Sequence, residues 1–130
     1  MKSIDQTFAS AAYLHVQQIK EKEQKYPGLQ RAYGSLCHRF PSMVLLNGLR
    51  LTVVFFEAKG SAGKDTAIAQ AYNQFIEDLK EVLVLKSLNF DSAVQYRQQT
   101  RKALKAAVWY KRYAEAILGV TEAQELEAAE

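Results

Sequence analysis

The 130-residue sequence has little of what stabilises small secreted proteins or anchors a chain in a bilayer. Its one cysteine, Cys37, cannot form a disulfide within the chain, which is typical of a reducing compartment. There is no apolar run long enough to span a membrane, and the first residues carry an acid early, unlike a signal peptide. A chain of this size can bury roughly two-thirds of its unfolded surface, so it needs no disulfide or metal to fold. These absences predict a cytoplasmic protein with a single domain over residues 1–130.

Acidic residues are scarce in most of the chain and concentrated at its end. The net charge is +3 and the isoelectric point is near 9.0. From Val120 onward there are four glutamates and no base, so the remainder is more basic than the total suggests: Glu122, Glu125, Glu127 and Glu130. This distribution favours an anionic partner such as nucleic acid. We expect the acidic residues from about 120 to form a frayed end.

Residues 100–118 lack glycine and proline, and Gly119 follows as a typical helix end. Alanine, leucine, lysine and arginine dominate the segment and lose little on entering a helix. One side of that helix is apolar and is predicted to be buried: Ala103, Ala106, Ala107, Tyr110, Ala114, Ile117 and Leu118. The opposite side carries Arg101, Lys105 and Arg112, flanked by Lys102 and Trp109.

The rest of the chain also reads as helices. Helical spacing of apolar residues predicts helices over residues 3–25, 29–40 and 65–85, and a short helix from Asp91 or Ser92 to about Gln99. The residues expected to point inward in the first three are Phe8, Ala12, Val16 and Ile19; Leu29, Tyr33, Leu36 and Phe40; and Ile68, Tyr72, Phe75, Ile76 and Leu79. Residues 42–58 are ambiguous, because Thr52 and the four apolar residues after it prefer a strand. Their length and the absence of a hairpin signal favour a central, nearly all-buried helix that begins after Pro41. The sequence therefore predicts an all-α fold, a compact bundle of about six helices.

Sequence patterns for catalysis or metal binding are largely missing. His15 and His38 are far apart, and Cys37 beside His38 does not provide the paired short spacings of a zinc site. We expect His15 to be partly buried and Cys37 to be a buried apolar residue. No G-x-S-x-G elbow is present. The sequence therefore predicts no catalytic residue, no metal and no cofactor.

The glycine-containing segment KGSAGK, residues 59–64, is the one candidate phosphate loop. It resembles the phosphate loop of family-2 polyphosphate kinases. However, Ala58 stands where a P-loop needs its first glycine, and Asp65 where it needs Ser or Thr. We favour an ordinary loop between helices. A small nucleotide-handling enzyme that uses Lys64 in the loop from Gly60 to Lys64 is the alternative, and a helical adaptor of an unrelated assembly is another.

The basic side of the last helix is the candidate binding surface. Its lysines and arginines are predicted to contact an RNA backbone, because phosphate contacts provide affinity without reading sequence: Arg101, Lys102, Lys105, Lys111 and Arg112. The alternative is that this side is only the solvent-exposed face of a helix. Trp109 is a candidate to stack on a base, although burial is the more frequent fate of a tryptophan.

Three stretches carry features that occur together in one protein family: AAYLHVQQIKEKEQKY, CHRFPSMVLLNGLRLTVVFFEAKG and YRQQTRKALKAAVWYKRYAEAI. In the middle stretch Pro41 is followed by Asn47-Gly48-Leu49, then by an apolar run over residues 53–56, and then by Ala58-Lys59. The last has Trp-x-Lys-Arg-x-Ala, which is Trp109, Lys111-Arg112 and Ala114. In order, spacing and length the chain resembles the small subunit of the type III-B CRISPR effector, the Cmr complex. Only residues 60–64 follow no family pattern.

The resemblance implies a non-catalytic, all-helical building block of an RNA-guided antiviral complex. Such subunits lie beside the repeating backbone subunits and flank the duplex of guide RNA and target RNA, while other proteins cleave. The implied partners are other Cmr subunits, guide and target RNA through the complex, and copies of the chain in a filament. No membrane is implied. The resemblance also implies a helix in the ambiguous central segment.

Overall fold

A computed structural model describes residues 3–62, 65–84 and 92–121, and all regular structure within these ranges is α-helical. The helices follow one another as α1 (Ile4–Lys22), α2 (Leu29–Asn47), α3 (Leu49–Ala62), α4 (Ala67–Leu83) and α5 (Ala93–Leu118). The all-α prediction is confirmed, whereas the expected number of about six helices is wrong by one. None of these five helices is long and apolar enough to cross a bilayer. The predicted frayed acidic end lies outside the described residues.

The two helices predicted around residue 100 are one helix, α5. Ser92 caps it by accepting a hydrogen bond from the backbone N–H of Gln95 at 3.1 Å. No glycine or proline interrupts the helix, and the Thr100 hydroxyl donates to the carbonyl of Tyr96 at 2.8 Å. Thr100 is therefore accommodated inside the helix, and α5 extends over 26 residues.

Between residues 29 and 62 the helical structure is broken at Gly48, not at Pro41. Helix α2 continues through Pro41, so the prediction of a new helix that begins after Pro41 is wrong. Gly48 has a φ of +84°, a left-handed conformation that favours glycine, and its N–H donates to the carbonyl of Val44 at 2.8 Å. Burial of Phe40 and Val44 on either side of the proline holds the helix together there. The predicted central helix over 42–58 is consequently divided between α2 and α3.

The core is built from one face of every helix. Helix α5 packs mainly against α1 and α2, α3 packs against α4, and both α2 and α4 touch all the other helices. Aromatic rings fill the centre, with centroids of Phe40 and Phe75 5.0 Å apart and those of Phe56 and Tyr72 5.1 Å apart. The predicted inward residues of α1 and the first part of α2 are confirmed as buried: Phe8, Ala12, Val16, Ile19, Leu29, Tyr33, Leu36 and Phe40.

Two apolar predictions are wrong. Residues 42–58 are not nearly all buried, because one side of this stretch faces outward: Leu45, Leu46, Leu51, Val54 and Phe55 are exposed. Ile68, expected to point inward, is 64% exposed at the start of α4. Amphipathic spacing identifies the side of a helix that is apolar, but only packing decides whether a neighbour covers it.

The predicted loop over residues 59–64 is helical as far as Ala62. Gly60 is buried inside α3, where Asn73 of α4 donates its side-chain N–H to the Gly60 carbonyl at 3.1 Å. A Cβ at Gly60 would collide with Asn73 Oδ1, so this glycine permits the close approach of the two helices. Lys64 lies outside the described residues.

Candidate nucleic-acid interface

Exposed basic side chains form a stripe along the outward face of α5. Arg101, Lys105 and Arg112 are exposed, and their spacings of four and seven residues place them on one side of the helix. The opposite side is buried through the residues predicted for it: Ala103, Ala106, Ala107, Tyr110, Ala114 and Leu118, with Ile117 half-buried. This placement supports the division of the helix into a packed side and a basic side.

One further base belongs to this stripe. Arg97 is exposed one helical turn before Arg101. Arg97 is not among the predicted site residues, because the predicted helix boundary near Gln99 separates it from Arg101, although the four-residue spacing between the two was a usable signal. We call Arg97, Arg101, Lys105 and Arg112 the cationic face. Lys102 and Lys111 are half-buried along the two sides of the helix, so they are not fully part of this face.

The charge of the cationic face is not neutralised by ion pairs within the described part of the chain. Lys80 forms an ion pair with Glu77, and histidine nitrogens approach carboxylates of Asp78 and Glu81 (His15) and of Glu115 (His38). None of these contacts involves the four bases. The carboxylate of Glu115, which is also exposed on α5, lies 4.0 Å from His38 Nε2 of α2. The four bases are thus available to a negatively charged partner.

Trp109 and its aromatic neighbours support Arg112 at the edge of the cationic face. The guanidinium carbon of Arg112 lies 4.9 Å from the Trp109 ring centroid, a cation–π contact. Trp109 stacks on Tyr113 with centroids 6.3 Å apart, and Tyr113 meets Tyr13 of α1 edge to face at 5.6 Å. Trp109 is half-buried and packs against the core. The indole therefore orients Arg112, and its stacking on a base stays a prediction.

A buried polar cluster fixes the rotational setting of α5. His15 Nδ1 of α1 lies 2.6 Å from the Tyr110 hydroxyl of α5. His15 Nε2 faces carboxylate oxygens of α4, at 3.2 Å from Glu81 and 3.8 Å from Asp78. Since a nitrogen that faces carboxylates carries the hydrogen, Nδ1 accepts from the Tyr110 hydroxyl. Rotating α5 would break this bond, so the cluster keeps the cationic face directed outward.

The same cluster reaches α2 through Asp78. The Tyr33 hydroxyl donates to Asp78 Oδ2 at 2.6 Å, and the Gln74 side-chain amide donates to Oδ1 at 2.9 Å. Burial raises the pKa of Asp78, while His15 and the two hydrogen bonds oppose that rise. Burial, followed by the negative charge of Asp78, raises the pKa values of Tyr33 and Tyr110, so both phenols stay neutral donors. Side chains of α1, α2 and α4 thus meet at one carboxylate, and Tyr110 of α5 is joined to it through His15.

The residues considered for catalysis or metal binding do not come together. His38 Nε2 donates to the carbonyl of Val120 at 2.7 Å, away from the cluster that contains His15. Cys37 is buried, as expected, and burial raises the pKa of its thiol, which disfavours the reactive thiolate. No group of three or more potential ligands is arranged for a metal among the residues that the structure describes.

The P-loop hypothesis for Lys64 is wrong. A P-loop connects a strand to a helix, but the residues before Gly63 and Lys64 form helix α3 as far as Ala62. The glycine that suggested a phosphate cradle, Gly60, instead packs against Asn73.

Comparison with known proteins places this architecture in a family. Residues 4–117 match the family model for the CRISPR-associated protein described as Cas_Cmr5, which covers all five helices to within one residue of the end of α5. The chain is also similar to a curated relative from Thermus thermophilus named CRISPR system Cmr subunit Cmr5. The two are 27% identical over 123 residues, which cover 91% of this chain and 98% of the relative. The resemblance found in the sequence is confirmed, and the chain belongs to the Cmr5 family of CRISPR-associated proteins.

Proposed function

We propose that the chain is a non-catalytic structural subunit of a cytoplasmic type III-B Cmr ribonucleoprotein effector, in which the cationic face lies along the duplex of guide RNA and target RNA. The observation that carries the proposal is the row of exposed bases on α5 without acidic partners among the described residues. Family membership supplies the setting, since the Thermus thermophilus relative is named as a Cmr subunit.

The geometry of the cationic face suits a phosphate backbone. From Arg97 to Arg112 the helix rises about 22 Å, with about 6 Å between charges that are four residues apart. A nucleic-acid strand carries a charge about every 3.4 Å of its axis, so the face is long enough to follow several nucleotides. Contacts of this kind bind without regard to sequence, which is what a subunit beside an arbitrary guide requires.

The partners in the proposal are other Cmr subunits and further copies of this chain. The outer side of α3 supports a protein contact, because its exposed residues repeat at helical spacing and are apolar: Leu51, Val54, Phe55, Ala58 and Ala62. The cationic face lies on a different helix, so protein and RNA contacts need not compete for one surface. Co-purification of tagged protein with the other Cmr subunits and RNA tests the assembly itself.

Charge reversal on α5 tests the RNA contact. The triple variant Arg101→Glu, Lys105→Glu and Arg112→Glu should fold like the parent chain, since all three side chains are exposed. Incorporated into the complex, it should weaken target-RNA binding at moderate salt by at least tenfold. The matched control reverses three exposed lysines elsewhere, Lys20, Lys25 and Lys59.

The control variant keeps the same change in net charge and should bind target RNA within about twofold of the parent. Circular dichroism and thermal unfolding of each isolated chain verify the fold. Unchanged RNA affinity for the α5 variant in a fully assembled complex would refute the role of the cationic face. A failure of the α5 variant to enter the complex at all would assign the bases to protein contacts and also overturn the proposal.

A further inference from the structure

A row of aromatic rings leads from the end of the cationic face across to α1. Arg112, the last base of that face, lies over the ring of Trp109, and Trp109 stacks on Tyr113. Tyr113 then meets Tyr13 of α1 edge to face, with the ring centroids 5.6 Å apart. Trp109 and Tyr113 are half-buried, whereas Tyr13 is exposed. Tyr13 is therefore the ring of this row that a ligand reaches most easily.

A cavity of about 450 Å³ opens beside the two tyrosines. Its lining is apolar and aromatic apart from three hydroxyl groups, and it consists of Ala9, Ser10, Tyr13, Leu14 and Tyr113. Ser10, Tyr13 and Leu14 are exposed, so the cavity is open to solvent. Its volume lies within the range of about 300–1,000 Å³ that is common for ligand pockets. Aromatic and apolar side chains with a few hydroxyls suit a flat, partly polar ring such as a nucleobase.

The charges around this cavity favour an anionic ligand. Helix α1 has no acid between Asp5 and Glu21. Glu115 is the one acid of α5, and its carboxylate lies 4.0 Å from a histidine of α2. Arg112 immediately precedes Tyr113 in the chain, so the cavity adjoins the end of the cationic face. This position favours RNA over a protein segment as the ligand, because a strand that follows the cationic face arrives here with both phosphates and bases.

We propose that this cavity binds an unpaired nucleobase of the RNA that lies along the cationic face, with the base stacked on the ring of Tyr13. The inference rests on the proposed function, because it takes the phosphate contact of Arg112 as given and adds a base contact beside it. Stacking requires no particular sequence, since every base has a π-face. The site differs from a base on Trp109, whose ring already contacts Arg112 and Tyr113.

The test compares two single-stranded RNAs of equal length. One has uridine at every position, and the other consists of abasic nucleotides that keep the phosphates but lack the bases. Fluorescence anisotropy with the full chain at low salt gives the affinity for each strand. We expect the parent chain to bind the uridine strand at least fivefold more tightly than the abasic strand. Tyr13→Leu should bind the uridine strand at least fivefold more weakly than the parent does, and the abasic strand equally well.

Two further substitutions make the comparison specific. Tyr13→Phe keeps an aromatic ring and should bind both strands as the parent does. Phe55→Leu is the matched control, because Phe55 is also exposed and its ring also lies beside a base, Lys59, but on α3. It should leave both affinities within about twofold of the parent. Circular dichroism verifies the fold of each variant.

The triple variant Arg101→Glu, Lys105→Glu and Arg112→Glu separates this inference from the proposed function, because it should weaken the binding of both strands. If it does so while Tyr13→Leu binds both strands like the parent, the base site is refuted and the cationic face stands. Equal weakening of both strands by Tyr13→Leu, or equal affinity of the parent for the two strands, would also overturn the base site. So would a parent chain that binds neither strand, whereas the cationic face is tested in the assembled complex. Loss of other Cmr subunits from a complex built with Tyr13→Leu would assign the cavity to a protein contact and overturn the proposal.

Discussion

The Tyr33 hydroxyl donates a 2.6 Å hydrogen bond to Asp78 across the centre of the bundle, joining α2 to α4. Both side chains are buried, and a carboxylate in the interior is tolerated only when its oxygens are hydrogen-bonded. Asp78 is also approached by Gln74 and His15. This one pair therefore connects the stability of the core to the cluster that orients α5.

Removing the Tyr33 hydroxyl should destabilise the fold. Tyr33→Phe keeps the ring in the aromatic core but leaves Asp78 Oδ2 without its donor. We therefore expect the free energy of unfolding to fall by about 1–3 kcal/mol. Urea unfolding followed by circular dichroism measures the change. Tyr13→Phe is the matched control, since Tyr13 is 48% exposed, and it should stay within about 0.5 kcal/mol of the parent. Equal effects of the two substitutions would contradict the importance of the buried bond.

The raised pKa of Asp78 predicts a pH dependence of stability with a definite sign. In the unfolded chain an aspartate titrates near pH 3.9, and burial raises the pKa of Asp78 in the folded protein. Between the two values the folded protein keeps a proton that the unfolded chain has released. The contribution of Asp78 to stability is therefore present below the unfolded pKa and is lost as the pH rises through the folded pKa.

Asp78→Asn isolates this effect because it cannot titrate. The unfolding free energy of the parent minus that of Asp78→Asn should fall as the pH rises from about 3.5 past the raised pKa, and then level off. His15 and Glu81, which also face Asp78, are present in both proteins. Repeating the measurement with His15→Gln in both chains removes the contribution of the imidazole. A difference that rises with pH would show that the folded state favours the charged carboxylate.

The contact of Gly34 with Val120 should behave as a coupled pair. Gly34→Ala places a Cβ 2.6 Å from Val120 Cβ, so we expect it to destabilise the fold by about 1–3 kcal/mol through overpacking. The Val120→Gly variant leaves this space open. Adding Gly34→Ala to that variant should therefore lower the free energy of unfolding by less than it does in the parent chain. Thermal or urea unfolding of the four proteins gives the coupling energy. Strict additivity would indicate that residue 120 does not press on α2.

The cationic face predicts a change in the salt dependence of RNA binding by the assembled complex. Each phosphate contact that is lost should reduce the slope of log affinity against log salt by about 0.7–1. We therefore expect Arg101→Gln and Lys105→Gln each to lower the slope by about that amount. Lys59→Gln, an exposed lysine on α3, should leave the slope unchanged. A loss of affinity at unchanged slope would point to a contact other than phosphate.

Local sequence was sufficient for the all-helical class and for the two sides of α5. Propensity and spacing operate within a few turns, which is why the buried alanines and the exposed Arg101, Lys105 and Arg112 were predicted correctly. The motif around Asn47-Gly48-Leu49 and the Trp109 motif were sufficient for the family, which the comparison confirmed. The assignment of the bases to RNA stays a prediction.

Tertiary packing decided what local rules left open. Burial of Phe40 and Val44 carries α2 through Pro41, and the approach of Asn73 explains Gly60 inside a helix rather than in a phosphate loop. Neither fact is visible in the sequence, because both depend on residues brought together from separate helices. The convergence of His15, Tyr33 and Tyr110 on α4 is of the same kind. The sequence thus determined which sides of each helix are apolar and which are charged. Only the assembled bundle determined which of these sides remain exposed, since burial depends on the neighbouring helices.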